Sequence, residues 1–462
     1  MVMFLHHEAK SISDWVTDWK FEPVALTPFV MFILVWVGLA FDPDAVSATT
    51  AAMIATSPIF LPVALFIMFW RRWMHYIRYA YWFRQPMVLL HIELPAEVEK
   101  SPLAMEVILT GLWNNGSETT FLQRIWKGQF RAVTTLELVS NGGRIGYYIH
   151  LRKNWKDFME ARIYGQFPEA HITEVTNNDY VTQVGYSPKT HELWGTEYSK
   201  KQPDAVPIKT YIDWGMDKDP DKPEKQVDPL TNILEFMSSI KPDEHIWFQI
   251  VMKARKADEW YGFYKKADSY LEGGKEAIKN VFEEAVNRTA ERVEDEMAKK
   301  SLASRGVMLL SQPEKDRVEA IERNFNKLTF DCGLRTIYIV KKNKFDLPKV
   351  GNLVRFFDPF RAPNFNVLNV CRGLSIFDYP WQDWGDIRRR MVRKRMFFWY
   401  KHRAYFYVPY DQTPVILTTE ELASMWHFPS SAVKTPGLVR VASRVGTAPP
   451  NLPTSSVTLP GQ

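Results

Sequence analysis

The sequence predicts an α+β protein: two N-terminal transmembrane helices, then two tandem ferredoxin-like (βαββαβ) modules, the second with an inserted helical arm. Three observations predict it. Two uncharged apolar runs lie within the first 70 of 462 residues. Beyond Pro86, strand-type and helix-type patterns alternate. A phrase of the first alternation then returns in the second: SPLAMEVILTGL at 101–112 and DPLTNILEFMSSI at 228–240 share a cap residue, a proline and their apolar spacing, as a duplicated unit would. Composition sets the outer bounds. With 46% hydrophobic and 24% charged residues, the chain is neither collagen-like nor wholly disordered. Two cysteines exclude a disulfide scaffold and a cysteine-based zinc framework. The net charge of +5 points to no partner by itself. The 17 tryptophans point to a membrane interface or to large aromatic packing.

Residues 1–23 form a cytoplasmic N-terminal segment. Ile12, Trp15, Val16 and Trp19 fall at helical spacing, which fits a short surface helix or a frayed terminus. Residues 24–84 are the expected hairpin anchor. Val24–Phe41 and about Ala48–Trp70 carry no charge, and each is long enough to cross a hydrocarbon core of about 30 Å, the first only just. A signal peptide followed by a core helix is the alternative, but no positively charged stretch precedes Val24. Arg71, Arg72, Trp73, Arg78, Trp82 and Arg84 read as membrane-interface anchors. The loop holds Asp42 and Asp44 and no cation. The positive-inside rule then places both termini in the cytoplasm, with two spans in a bacterial inner membrane.

Residues 85–206 are the first module. A strand at 87–93 precedes a helix opened by Ser101 and Pro102. A hairpin follows, turning at Asn141-Gly142-Gly143. A helix at about 155–166 and a short strand in FPEAHITEV complete it. Residues 207–372 are the second module, with strands at 208–213, 244–253 and 328–341, helices at 228–240 and 347–357, and a last strand in NFNVLNV. Its insertion, about 254–327, is a helical pattern broken near Gly273-Gly274, then a helix at 313–325. Ile278, Phe282, Ala285, Val286, Val293 and Met297 make a narrow apolar stripe. That stripe either packs on its own domain or, across 275–327, forms a homo-oligomer contact.

Residues 373–446 are a basic and aromatic subdomain. Arg388, Arg389, Arg390, Arg393, Lys394, Arg395, Lys401 and Arg403 surround Phe397, Phe398, Trp399 and Tyr400. Cations interleaved with aromatics suit single-stranded nucleic acid, or an anionic surface such as a lipid bilayer. A solvated helix face with its aromatic side in the core explains the pattern equally well. Thr418 and Thr419 ahead of Glu420 and Glu421 open a further helix. Residues 447–462, rich in proline, serine and threonine, read as a disordered tail.

Several phrases together carry a family resemblance: EARIYGQFPEAHITEV, DPLTNILEFMSSIKPDEHIWFQIVM, DYPWQDW, and ILTTEELASMWHFPSSAVKTPGLVRV with APPNLP. Over about residues 20–453 the chain resembles the region ahead of the motor in coupling-protein-like ATPases of type IV secretion and conjugative DNA transfer, in the forms found in candidate-phylum bacteria. In that family a phosphate-binding motor follows the APPNLP-like segment. This sequence holds no G-x-x-x-x-G-K-[ST], so ATPase activity does not carry over. The resemblance implies a membrane-anchored, non-catalytic subunit that docks a separate motor ATPase. A membrane-tethered protein that binds single-stranded nucleic acid through residues 388–403 is the second expectation, and an unrecognised membrane enzyme the third. No H-E-x-x-H, G-x-S-x-G or G-x-G-x-x-G occurs, and no cofactor or metal is expected. Cys332 and Cys371 are expected as small core residues.

Overall fold

The computed structural model describes residues 43–95, 98, 100–114, 120–176, 179–218, 227–256, 259–261, 264–266, 269–290, 309–373, 383–407, 410–430, 433, 435–438 and 440–441. The expected first span, the N-terminal segment and the tail from 442 lie outside them. The chain divides into two compact units, Met1–Arg84 with Thr120–Gln129, and Gln85–Thr119 with Phe130–Gln462.

The described part of the first unit is one long helix, α1 (Pro43–Arg84, 42 residues), and a short helix, Phe121–Ile125. Thr120 and Gln123 cap the short helix reciprocally. The Trp73 indole donates to the Ile125 carbonyl at 2.9 Å, and its ring lies 5.4 Å from that of Trp126. Gly128, at φ +64°, sits where a Cβ would fall 2.4 Å from the Ile77 carbonyl oxygen, so only glycine closes this return.

Among the described residues, no helix is long and apolar enough to cross a membrane. This corrects the expected second transmembrane helix at about 48–70, and with it the placement as a two-span inner-membrane protein; the expected first span, 24–41, lies outside the described residues. The apolar run of α1 is interrupted by Thr49, Thr50, Thr56 and Ser57 and by Pro58 and Pro62 inside the helix, and the helix continues through Arg71, Arg72, Arg78 and Arg84.

The second unit is a mixed α/β body built on one ten-stranded sheet. Its strands are β1 (Met87–Pro95), β2 (Val133–Asn141), β3 (Arg144–Arg152), β4 (His171–Glu174), β5 (His191–Lys200), β6 (Glu244–Ala254), β7 (Thr329–Lys341), β8 (Leu368–Gly373), β9 (Val415–Thr418) and β10 (Arg440–Val441). The order is β8-β5-β7-β6-β2-β3-β1-β10, with β9 also on β7 and β4 also on β1. Every pairing is antiparallel except β1 with β10. Gly142 (φ +59°) and Gly143 (φ +86°) make the tight turn between β2 and β3.

This single sheet corrects the expectation of two tandem ferredoxin-like modules. Strands β2 and β6 pair from Val133–Lys253 to Asn141–His245, so both halves share one sheet and one core. Leu136, Leu138, Ile246, Phe248 and Ile250 all belong to that core. Within it the strand order is β4-β1-β3-β2 in one half and β8-β5-β7-β6 in the other. The second half begins at β5, not at 208–213. In the segment 208–213, residues 208–210 carry no regular structure and 211–213 form a turn. Its backbone amides at Ile208 and Tyr211 bond to the side chains of Glu421 and Ser424 instead of to a strand.

Helices α2 (Leu103–Thr110), α3 (Lys156–Gln166), α4 (Leu230–Ser238), α5 (Ser269–Ala290), α6 (Gln312–Phe325), α7 (Leu347–Val354), α8 (Ile387–Lys401) and α9 (Thr419–Met425) complete the unit. Ile108, Met159, Met237, Leu353 and Leu422 carry α2, α3, α4, α7 and α9 into the sheet's main core. Helix α8 lies across the opposite face. Its Met396 sulfur occupies the space a Cβ at Gly195 would need, 2.4 Å away.

Helices α5 and α6 form the inserted arm. Of the expected stripe, Ala285 is buried with Val281 and Leu310, while Ile278 and Phe282 pack half-buried beside the most buried line, Ala277, Val281 and Ala285. Val293 and Met297 lie outside the described residues. Arg288 grips Glu314 through two bonds of 2.6 and 3.0 Å. Helix α5 runs unbroken through Gly273-Gly274, because Gly274 marks a close helix crossing. A Cβ there would fall 2.5 Å from the Phe325 ring. Alanine normally stabilises an exposed helical glycine position by about 0.5–1 kcal/mol. Here Gly274→Ala lowers the unfolding free energy by about 1–3 kcal/mol through overpacking, as urea titration of the full chain will read. Cys332 is buried on β7 as expected, whereas Cys371 on β8 is exposed.

Candidate functional site

On the face under α8, polar residues run across six strands at one register level. His91 of β1 pairs with Tyr148 of β3, Tyr148 with Glu137 of β2, Glu137 with Gln249 of β6, Gln249 with Arg335 of β7, and Arg335 with Glu197 of β5. Glu137, Gln249, Arg335 and Glu197 are buried. Such groups stand inside a protein only when partnered, and most of those partners come from the C-terminal half of the chain. Glu137 accepts from Arg403 Nε at 2.8 Å, Gln249 Nε2 at 2.6 Å, Thr135 Oγ1 at 2.9 Å and Tyr180 OH at 2.8 Å. Tyr180 OH lies 2.8 Å from Tyr400 OH. Arg335 donates to Gln249 Oε1 at 2.7 Å and to the Ala404 carbonyl at 3.0 Å.

Burial alone would push the Glu137 carboxyl up. The Arg403 guanidinium, aided by the Tyr180 hydroxyl, overcomes that and holds it at about 2. The same burial, with the Arg403 charge, brings His150 down to about 3. Arg403 follows the end of α8 at φ +52°, a left-handed position that glycine usually fills. A non-glycine residue there costs roughly 1–2 kcal/mol, offset here by the buried ion pair.

Helix α8 carries the sequence-predicted basic cluster, and the structure sorts that cluster into two groups. One group holds the helix in place. Arg403 enters the core, and Arg393 pairs with Glu192 at 2.6 Å. The backbone amides of Arg388 and Arg389 bond Asp383, which caps the helix start, and Arg389 reaches Asp386 at 3.2 Å. The other group faces out. Met396 and Tyr400 point into the core, so helical spacing places Arg390, Lys394, Arg395 and Lys401 on the outer side, all exposed. Between them stand Ile387, Met391 and Phe398, the last 41% exposed. Arg390 bonds the carbonyls of Gly385 and Asp386 in its own leading turn. Lys394, Arg395 and Lys401 have no ion-pair partner among the described residues.

A second polar cluster fixes α9. Thr418 and Glu421 form a capping box at its start. Glu421 also takes the Lys200 ammonium at 2.8 Å, both side chains fully buried, and the Ile208 amide at 3.0 Å. Glu420 binds Arg323 at 3.1 Å and Thr210, while Thr419 bonds Glu106 at 3.0 Å. The TTEE phrase reads from sequence as a helix start. That every one of its side chains is a buried tie was not legible, since the partners come from four distant segments.

The expected interface anchors lie in the first unit, along α1, and are not gathered into one site. Trp73 serves the short return helix, Arg72 and Arg84 are exposed, Arg78 and Trp82 half-buried, and Arg71 stands between Trp70 and Arg72 on the same helix. No family model and no curated protein matches the chain.

Proposed function

We propose that this chain is a non-catalytic binding subunit that holds single-stranded nucleic acid on the outer face of α8, in a machine of the DNA-transfer type whose motor is a separate polypeptide. One observation carries the reading. Arg390, Lys394, Arg395 and Lys401 are exposed together with Phe398 on one face of a helix, and Arg393 and Arg403 fasten that helix to the sheet. Cations that track a phosphate backbone beside an aromatic ring are what a single strand requires. The machine and its motor come from the sequence resemblance, which covers nearly the whole chain. Fluorescence anisotropy with labelled dT12 tests the reading. Substituting glutamine at Arg390, Lys394, Arg395 and Lys401 lowers affinity at least tenfold in the same buffer and leaves the unfolding midpoint unchanged. Undiminished binding by that variant overturns it.

A further inference from the structure

A cavity of about 450 Å3 opens on the polar-row side of the sheet, at the end of the row away from β5. That volume lies within the range of small-ligand sites. His91 of β1 and Tyr148 of β3 stack on one another at its wall, their ring centroids 4.7 Å apart and 27° from parallel. Gly146, two residues along β3 and on the same face, lets both side chains lie close over its backbone: a Cβ there would fall 2.8 Å from the Tyr148 ring and 3.3 Å from His91 Nε2. Arg144, exposed, stands at the rim in the same alternation. Glu93 adds an acceptor. Asn141, whose amide oxygen lies 2.9 Å from both His245 Nδ1 and Trp247 Nε1, adds a donor. An open sheet face with ring side chains on neighbouring strands is a general means of stacking unpaired bases. This cavity also connects to α8. The Tyr148 ring lies 5.1 Å from that of Tyr180, whose hydroxyl meets Tyr400 of α8.

We propose that this cavity is a nucleobase site. A base from a single strand stacks on the His91–Tyr148 pair, a ring N–H or amino group on its edge donates to Glu93, a carbonyl on that edge accepts from the Asn141 amide, and Arg144 takes the adjoining phosphate. The inference rests on the proposed function and deepens it: α8 holds the backbone, and the sheet cavity holds a base. The chemistry selects unpaired nucleotides, because a base inside a duplex presents no free face.

The test compares dT12 with an abasic 12-mer that has the same phosphates and no bases, using the full chain. The wild type binds dT12 about tenfold more tightly, in line with one or two stacked bases. Tyr148→Leu removes that preference while keeping abasic affinity within twofold. A dT12 carrying 5-iodouracil crosslinks on irradiation to the peptide containing Tyr148 or His91, a readout that needs no variant. Equal binding of the two oligonucleotides by the wild type overturns the base site and leaves the phosphate contacts of α8 standing. No binding of either overturns both.

Discussion

Arg403→Leu lowers the unfolding free energy of the chain by about 3–5 kcal/mol. The size follows from what the substitution leaves behind. Glu137 is fully buried, and without the guanidinium at 2.8 Å its carboxylate has no countercharge in contact. Replacing both partners with apolar residues of similar shape removes the buried charge as well. The double variant Glu137→Leu with Arg403→Leu therefore recovers part of the loss, and the coupling read from the cycle is the measure of the pair. The same pair sets an acid limit. The Glu137 carboxyl, held at about 2 when folded, takes up a proton more readily in the unfolded chain. Its contribution, about 3 kcal/mol, is fully present above the ordinary carboxyl range and is lost as the pH falls toward 2. His150, brought down to about 3 by burial, acts in the same direction from its ordinary value of 6.5 downward. Urea-unfolding free energies of the wild type therefore fall continuously from pH 6.5 to 3, and the Glu137→Leu, Arg403→Leu variant shows a shallower fall. A stability flat across that range contradicts the buried assignment.

Glu421→Ala has the second large effect, again about 3–5 kcal/mol. It strands the Lys200 ammonium in a site with no solvent exposure and removes both the Ile208 amide's acceptor and the α9 capping box. The cap alone accounts for about 1 kcal/mol. Glu420→Ala leaves Arg323, which is partly exposed and keeps Asp213 at 2.8 Å, so its cost is smaller. Thermal or urea unfolding of the two variants side by side reads the difference. Equal losses would contradict the ranking.

Much of the second unit was legible because local signals agreed with the fold. The Asn141-Gly142-Gly143 turn, the alternation on either side of it and the Thr418 cap each depend on neighbours in sequence. The strand His191–Lys200 was not legible, because Leu193 to Tyr198 is buried on both faces and shows no polar alternation. The role of Glu137 was not legible for the opposite reason. In TTLELVS it sits where a solvent-facing residue belongs, and only the arrival of Arg403 and Tyr180 from distant parts of the chain buries it. The joining of the two halves through β2 and β6 was hidden for a related cause: edge and central strands differ by who pairs with them, not by composition. In the basic cluster, sequence gave the residues but not their division, since charge count alone cannot separate Arg393 and Arg403, which fasten the helix, from Lys394 and Arg395, which face out. The apolar stretch of α1 reads as a span because 48–70 carry no charge and the arginines beyond it read as an interface belt, whereas they continue the same helix.

The salt dependence of dT12 binding tests the central claim most directly. Four exposed cations on α8 in contact with phosphates give a slope of log K against log salt concentration of about −3, at roughly 0.7 per contact on a single strand. The wild type shows that slope, or about −3.5 with the Arg144 contact added, and the variant with all four as glutamine falls to between zero and about −0.7 with much weaker binding. A wild-type slope near zero, or one that the four substitutions leave unchanged, contradicts it.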